Sequence, residues 1–303
     1  MGARLGQHFL KNPTVIERII SALQLAEGDF VIEIGPGRGA LTREIIARLQ
    51  NFKIAKFVAI EKDERLARAL ASSFQSISKH QFSNAQHIII EGDALKVLPE
   101  ISKDYKLKAI SYKLVGNIPY YITGKLLRTI GELEHKPTLT VLMTQKEVAE
   151  RVCAKPPFMN PARSRSLQTI ETMVTLKQSA FNGMNLLAAC VQYWADAEYL
   201  FSVSKQEFQP PPKVASAVIR LKIKDQGLKI NDKYYKLVNV LFKQPRKTIL
   251  NNLLLSRKSE ARNLKSEMDK ERIIKKLQKA GINPSLRPQN LSVPLIIKLS
   301  EML

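Results

Sequence analysis

Cysteine and histidine are scarce in this chain, which has two cysteines and four histidines among its 303 residues. Cys153 and Cys190 are too few for a disulfide framework, and neither they nor the histidines show metal-ligand spacing. Apolar runs are short as well. The sequence contains no stretch of 18 or more apolar residues, the length that a membrane-spanning helix needs. The N-terminus lacks the apolar core of a secretory signal. These absences predict a soluble, cytoplasmic protein that binds no metal ion.

Positive charge is what the sequence has in excess. Lysine and arginine number 48 against 27 aspartates and glutamates, which gives a formal net charge of +21. A surplus of this size favours a polyanionic partner, most commonly nucleic acid. The alternative is a generic basic surface or a weak affinity for anionic membranes.

Hydrophobic periodicity predicts an α/β architecture. The short apolar runs that predict buried strands lie at 30–34, 57–60, 88–90, 114–115 and 139–143. They alternate with helical patterns, including amphipathic helices predicted over 13–24 and 40–50. Such an alternation is typical of a parallel sheet with helices on both faces. A longer, alternating strand is predicted over 214–223.

The C-terminal part of the chain has a different character. Beyond Gly227 the pattern is helical to the end, and residues 225–303 carry 17 Lys and Arg against 7 Asp and Glu. We therefore predict a first domain over 1–226 and a basic helical domain over 227–303.

A glycine-rich segment, EIGPGRG at 33–39, joins the first predicted strand to its helix. Gly35 and Gly37 allow a tight turn and let a ligand lie against the backbone, although such a turn alone is a weak signal. Glu61 ends the next strand, where a carboxylate can accept hydrogen bonds from both hydroxyls of a ribose. Asp93 follows the third strand and can accept one from an adenine amino group. Together these features predict a nucleoside site, whereas either acid alone would be interpreted as a solvated charge.

The tetrapeptide Asn-Ile-Pro-Tyr at 117–120 follows the fourth strand and predicts a site for a target base. Adenine N6 is a poor nucleophile because its lone pair is delocalised into the ring. The Asn117 side-chain oxygen and the Ile118 carbonyl can accept its two hydrogens, which favours the pyramidal, nucleophilic form. Pro119 stiffens the turn, and Tyr120 can stack on the base.

Phe208 is a candidate for the other face of the same base. On its own it is interpreted more simply as a core aromatic. An adenine held between two aromatic rings must leave its stack or start unpaired, and the rings would compensate for the lost stacking.

Taken together, the chain resembles the ribosomal RNA adenine N6,N6-dimethyltransferases, specifically the bacterial small-subunit enzymes associated with kasugamycin sensitivity. The motifs that carry the resemblance are GQHFL at 6–10, EIGPGRGALT at 33–42, GNIPYYIT at 116–123, QKEV at 145–148, FQPPPKVASAVIRL at 208–221, PRKT at 245–248 and GINPSLRPQNLS at 281–292. The resemblance implies a Rossmann-like class I methyltransferase fold, with a mostly parallel seven-stranded sheet, plus a small all-helical C-terminal domain.

The resemblance also implies the chemistry. The cofactor would be S-adenosyl-L-methionine, lined by His8, Leu10, Gly35, Glu61, Asp93 and Asn117. The product would be two adjacent dimethyladenosines in the 3′-terminal hairpin of small-subunit rRNA, made on pre-30S particles by a cytoplasmic monomer. Arg246 and Lys247, in the basic C-terminal domain, are predicted to contact RNA phosphates.

Three other functions are weighed against this one. A large-subunit rRNA methyltransferase of the macrolide-resistance type shares the cofactor and Asn-x-Pro-Tyr motifs, but the basic C-terminal domain argues against it. A DNA adenine methyltransferase would need a target-recognition domain. A ribosome-assembly factor whose main role is binding would need the same basic surface.

The chain departs from the family at about 158–183, an insertion placed between the fifth strand and a helix that begins near Met184. A neutral insertion is the simpler interpretation, because long surface insertions cost little free energy. Its predicted position at the carboxyl ends of the strands instead favours a mobile flap beside the cleft. Arg163 and Arg165 would then contact RNA.

Overall fold

The computed structural model describes residues 7–50, 56–81, 87–103, 111–157, 183–224, 231–260 and 266–303. The chain divides into two compact units, one of residues 1–149 and 195–228 and the other of residues 150–194 and 229–303. The boundary predicted near Gly227 lies outside the described residues. The second unit also contains 150–194, a segment that the sequence analysis places in the first domain.

The first unit is built on a seven-stranded sheet. Its strands are β2 (Phe30–Ile34), β3 (Lys56–Glu61), β4 (His87–Glu91), β5 (Tyr112–Asn117), β6 (Leu139–Gln145), β7 (Ala195–Val203) and β9 (Ser216–Ile223), in the spatial order β4-β3-β2-β5-β6-β9-β7. Strands β4, β3, β2, β5 and β6 are parallel, and β9 runs antiparallel to both β6 and β7. Two short strands, β1 (Phe9–Leu10) and β8 (Phe208–Gln209), pair separately and antiparallel. The predicted fold class is confirmed.

Among the described residues, six helices precede, connect or follow the parallel strands. They are α1 (Pro13–Ala22), α2 (Ala40–Leu49), α3 (Glu64–Gln81), α4 (Ala94–Ser102), α5 (Thr123–Glu132) and α6 (Lys146–Val152). Asn12 caps α1, since its side chain accepts the Thr14 N–H at 2.8 Å, and Pro13 takes the first helical position. All five residues of β2 are buried, as expected for a central strand covered on both faces.

The strand order reverses between β2 and β5, because the chain moves outward from β2 to β3 and β4 and then returns to the other side. Ile34 at the end of β2 lies opposite Gly116 in β5. In open α/β sheets a ligand crevice lies outside the carboxyl ends of the strands at such a reversal. The topology therefore places Gly35 and Asn117 at the two sides of the expected crevice.

Helices are the main regular elements among the described residues of the second unit, which also has a bridge residue at Lys155. It contains α7 (Leu186–Trp194), α8 (Asp232–Leu241), α9 (Ile249–Glu260), α10 (Ser266–Lys279) and α11 (Val293–Met302). Three tyrosines from α7 and α8 pack together: the ring centroid of Tyr193 lies 4.4 Å from that of Tyr234 and 5.5 Å from that of Tyr235. Over 231–260 and 266–303, the prediction that the chain beyond Gly227 forms helices without further strands is confirmed.

Two details differ from the sequence predictions. Strand β7 was not predicted, because its residues are mostly half-buried and follow no clean alternation. Helix α6 follows β6 directly, so the insertion does not begin at the strand end as expected. The segment 158–182, and with it the predicted flap with Arg163 and Arg165, lies outside the described residues. At its C-terminal flank, the Met184 N–H donates to the Gln289 carbonyl at 3.0 Å, within the second unit.

The described residues contain no helix long and apolar enough to cross a membrane. They also contain no cluster of three or more His, Cys, Asp and Glu side chains that could hold a metal ion.

Candidate functional site

A cleft opens at the carboxyl ends of β2, β3 and β5 and is closed on one side by the N-terminal segment. The predicted site residues that line it are His8, Leu10, Gly35, Gly37, Glu61, Asn117, Ile118, Pro119 and Tyr120. An adjoining recess shares Gly35, Glu61 and Pro119 with the cleft and adds Asp93. The structure thus brings together residues that are separated by more than 100 positions in the sequence.

The glycine-rich turn shapes the floor of this cleft. Gly35 and Gly37 have φ angles of +66° and +58°, a region that favours glycine. A Cβ atom on Gly37 would also lie 3.0 Å from a ring carbon of Phe9. Because neither glycine carries a side chain, the backbone of the turn stays open to a ligand.

Glu61 is held rigidly at the end of β3. Its side chain is buried, and its two oxygens accept the backbone N–H groups of Gly37 and Asp63, each at 2.9 Å. A carboxylate oxygen has two lone pairs, so each oxygen can accept a further hydrogen bond. Glu61 can therefore accept the two hydroxyl groups of a ribose, as the sequence analysis expects.

Glu33 is a second carboxyl group at the cleft, and sequence reasoning assigned it no role. It accepts a hydrogen bond from the Thr42 hydroxyl at 2.7 Å. Burial raises the pKa of Glu33, the Thr42 hydrogen bond lowers it and the negative charge of Glu61 raises it, which together bring it to about 8. Glu33 is therefore mostly protonated at neutral pH.

Asp93 lies in the adjoining recess and caps α4. Its Oδ1 accepts the Leu95 N–H at 3.0 Å, and its Oδ2 accepts a hydrogen bond from the Lys62 ammonium at 2.8 Å. The Lys62 hydrogen bond lowers the pKa of Asp93, so this carboxyl is ionised at neutral pH. Lys62 and the exposed Tyr121 line the same recess and were missed. The position of Lys62, directly after Glu61, was the signal that could have identified it.

Asn117 is oriented by the N-terminal segment. Its Nδ2 donates to the His8 carbonyl at 2.9 Å. The other branch of the amide, Oδ1, is therefore the acceptor that Asn117 can offer to a substrate. The next residue, Ile118, is anchored by its N–H, which donates to the Met143 carbonyl at 3.0 Å.

Tyr120 and His8 form one wall of the cleft. Their rings are stacked, with centroids 6.1 Å apart and an interplanar angle of 29°. The Tyr120 hydroxyl lies 2.9 Å from the Ser216 hydroxyl, and His8 Nδ1 lies 2.8 Å from the Pro210 carbonyl oxygen. Burial raises the pKa of the Tyr120 phenol, so it stays neutral and can hydrogen bond as a donor.

Phe208 lies in the apolar core, the position given by the simpler of its two interpretations, and does not line the cleft. It is only 2% exposed and belongs to the same buried apolar cluster as Leu10 and Ile19. The reason is the pairing of β8 with β1, which sets Phe208 opposite Leu10. In this conformation the Phe208 ring is closed to a substrate base.

Arg246 and Lys247 lie in the second unit, in the turn between α8 and α9, and both are exposed. The turn is held by the buried Asn252, whose Nδ2 donates to the carbonyls of Gln244 and Thr248, each at 3.1 Å. The two cations are thus presented by an ordered turn.

The fold and the cleft together define a class. A doubly wound sheet with one antiparallel strand, a glycine-rich first turn, acidic groups after the next two strands and Asn-x-Pro-Tyr after β5 are the features of a class I methyltransferase. The acceptors at Glu61 and Asp93 fit the hydroxyl and amino donors of an adenosine, the nucleoside part of S-adenosyl-L-methionine.

Comparison with known proteins identifies the family. The family model described as "Ribosomal RNA adenine dimethylase" matches residues 2–167 and 159–287, and the chain belongs to this family. The two matched ranges meet inside the segment where the sequence analysis places the insertion. Methyl transfer in this family uses S-adenosyl-L-methionine, so the chain is an S-adenosylmethionine-dependent rRNA adenine methyltransferase.

Several curated relatives match almost the whole chain. Proteins named ribosomal RNA small subunit methyltransferase A are 35% identical in Rippkaea orientalis, over 99% of this chain and 96% of the relative, and 34% identical in Dehalococcoides mccartyi, over 95% and 84%. A third, in Mycoplasma mycoides, is 32% identical over 98% and 95%.

Solved structures agree on the fold. A dimethyladenosine transferase from Plasmodium falciparum superposes with a TM-score of 0.67 at 23% identity, covering 96% of each chain. The 23S rRNA methyltransferase ErmE superposes with a TM-score of 0.61 at 21% identity, covering 97% of this chain and 99% of its own. One of these two structures is named for 23S rRNA and the other names no RNA, so the fold alone does not identify the RNA.

Proposed function

We propose that this enzyme dimethylates N6 of two adjacent adenosines in the 3′-terminal hairpin of small-subunit rRNA. Its substrate would be the pre-30S particle, and it would act in the cytoplasm as a monomer. Relatives that are 32–35% identical over 95–99% of the chain and are named for the small subunit support this RNA over the large-subunit alternative. The basic second unit supports an RNA partner.

The observation that carries the proposed chemistry is the orientation of Asn117. Its Nδ2 is bound to the His8 carbonyl, so its Oδ1 can accept one N6 hydrogen while the Ile118 carbonyl accepts the other. Two preorganised acceptors favour the pyramidal form of N6 and fix its direction of attack. After the first transfer N6 keeps one hydrogen, so the second transfer uses one acceptor.

The remaining residues position the reactants. S-adenosyl-L-methionine carries its methyl group on a sulfonium, which is already a good leaving group. The protein therefore mainly has to align N6 with that methyl group and exclude water. In this proposal Glu61 accepts the ribose hydroxyls and Asp93 the adenine amino group. Gly35 and Gly37 give the cofactor access to the backbone, and His8 and Leu10 close the cleft.

The remaining proposed roles concern binding of the RNA: stacking on the target base and contacts with phosphates. Tyr120 stacks on the target base, supported by its position beside Asn117. Phe208 can reach the other face of that base only if residues 208–212 move, because its ring is buried here. Arg246 and Lys247 would contact phosphates.

The test compares two variants that should fail in different ways. Asn117→Ala should lower the rate of methyl transfer about a hundredfold, since losing one preorganised acceptor costs about 3 kcal/mol of barrier, and should leave cofactor affinity largely intact. Glu61→Ala should weaken cofactor binding in calorimetry and leave RNA affinity nearly unchanged. If Asn117→Ala turns over within a few fold of the wild type, the proposed role of Asn117 is wrong.

The choice of RNA and of main role needs separate measurements. Unmethylated small and large subunits incubated with labelled cofactor, followed by mapping of the modified nucleotides, identify the substrate. Modification confined to the large subunit would overturn the proposal. A ribosome-assembly factor whose main role is binding would restore subunit assembly in cells even as the inactive Asn117→Ala variant.

A further inference from the structure

The adenine side of the cleft contains an ion pair that competes with the ligand expected there. Lys62 Nζ lies 2.8 Å from Asp93 Oδ2, and both side chains line the same recess. Asp93 Oδ1 is already used to cap α4, where it accepts the Leu95 N–H. Oδ2 is the oxygen that faces the recess beside Lys62, so a ligand amino group bound there must share Oδ2 with the ammonium group or displace it.

This ion pair is weak enough to be displaced. The Lys62 side chain is 54% exposed and that of Asp93 29% exposed, so water and salt screen their attraction. Ion pairs of this kind contribute little to stability and exchange readily with solvent. Lys62 can therefore move aside when another donor arrives.

We propose that Lys62 is a positioning residue that sets cofactor affinity by competing with the adenine amino group for Asp93. The inference rests on the proposed role of Asp93 as the acceptor of that amino group. Because Lys62 acts through Asp93, its effect is confined to ligands that carry an amino group at this position. Lys62 thus weakens the binding of substrate cofactor and of its demethylated product alike, which favours release of the product.

The competition responds to salt rather than to pH. The hydrogen bond between the two groups lowers the pKa of Asp93 and raises that of Lys62, so both stay charged around neutrality. Lys62 and Lys96 on α4 act on Asp93 through their charges, Glu61 lines the same recess, and the Tyr121 phenol lies beside Lys62. Raising the ionic strength weakens the ion pair and leaves the neutral adenine amino group unaffected.

The test uses S-adenosylhomocysteine and its hypoxanthine analogue, in which a carbonyl replaces the adenine amino group. Lys62→Met should bind S-adenosylhomocysteine about two- to fivefold more tightly than the wild type at low salt, the range expected for a surface ion pair. The gain should be absent with the hypoxanthine analogue and should shrink at high salt. Lys62→Arg should restore the wild-type affinity.

Lys96→Met is the matched control. Lys96 is exposed and also lowers the pKa of Asp93 through its charge, but it makes no hydrogen bond to it. This variant removes the same charge and should leave the discrimination between the two ligands unchanged. An equal gain in both methionine variants would attribute the effect to net charge and overturn the inference.

The outcomes separate the inference from the proposed function. If the wild type prefers the adenine ligand and Lys62→Met binds it no more tightly, only the competition by Lys62 is wrong. If the wild type binds both ligands equally, Asp93 does not recognise the amino group. That result overturns both the inference and the proposed role of Asp93.

Discussion

Glu33 lies behind the glycine-rich turn with its carboxyl group buried against the Thr42 hydroxyl. Burial raises its pKa from the ordinary value of 4.5 to about 8 in the folded protein. The unfolded chain releases this proton near pH 4.5 and the folded protein keeps it to about pH 8. Folding stability contributed by Glu33 is therefore complete below pH 4.5 and is lost as the pH rises towards 8.

Glu33→Gln should remove this pH dependence, because glutamine is neutral at every pH and can still accept the Thr42 hydrogen bond. We expect its free energy of unfolding, measured by urea titration, to fall less steeply than that of the wild type between pH 4.5 and 8. Parallel profiles for the two proteins would show that Glu33 ionises normally in the folded state.

The site residues that could be predicted from the sequence are those that lie in a recognisable motif at the end of a predicted strand. Glu61, Asp93 and Asn117 follow short apolar runs, and parallel strands bring their carboxyl ends to one edge of a sheet. Lys62 was missed because its importance depends on one contact with a residue 31 positions away. The pairing of Phe208 with Leu10 was not predicted for the same reason, since a two-residue strand has no periodic pattern.

At the scale of elements, the glycine-rich turn and strand β1 are fitted to each other. Gly37 has a positive φ and lies against Phe9, whereas Gly28 has a positive φ of +79° with no atom within 4 Å of an added Cβ. A substitution at Gly28 therefore tests backbone strain alone, and a substitution at Gly37 tests backbone strain together with close packing.

Gly28→Ala should lower the free energy of unfolding by about 1 kcal/mol, through backbone strain alone, and leave cofactor affinity unchanged. Gly37→Ala should lower both the free energy of unfolding and the cofactor affinity, because its methyl group displaces the Phe9 ring, which lines the cleft. Denaturant titration and calorimetry on both variants check this. Equal cofactor affinities in the two variants would mean that the packing of Phe9 does not shape the site.

Strand β7 shows where periodicity fails as a predictor. In the described part of the chain it is an edge strand that pairs only with β9, and most of its residues are half-buried. The sequence of β7 therefore has neither a continuous apolar run nor a strict alternation of apolar and polar residues, and its periodicity does not predict a strand. The central strands β2 and β6 are buried almost throughout, and their apolar runs predicted them correctly.

At the scale of the whole molecule, each of the two units is built from two separate segments of the chain, so the units are not consecutive in the sequence. Residues 150–194 leave the first unit, join the C-terminal helices, and are followed by β7 back in the first unit. A change in composition near Gly227 marks one of these crossings. The crossings at 149 and 195 coincide with no comparable change in composition, so the sequence predicted a single boundary.

The charge of the second unit leads to a prediction about RNA binding. Replacing Arg246 and Lys247 by glutamine should weaken RNA binding and reduce the slope of log affinity against log salt by about 1 to 2, because fewer counterions are released. The exposed pair Lys233 and Lys236 on α8 is a matched control with the same change in charge. Equal effects in both variants would indicate a response to net charge and no contact specific to the turn.

The parts of the cleft are synthesised at different times, because they lie far apart in the sequence. Asn117 is oriented by the carbonyl of His8, and His8 in turn is bound to Pro210 beside the β1–β8 pair. Proteins are made from the N-terminus, so this wall cannot close until residues 208–210 have left the ribosome. A nascent chain that has already made all five parallel strands still lacks a finished cleft. The ability to transfer a methyl group therefore arises late, when residues 208–210 pair with the N-terminal segment.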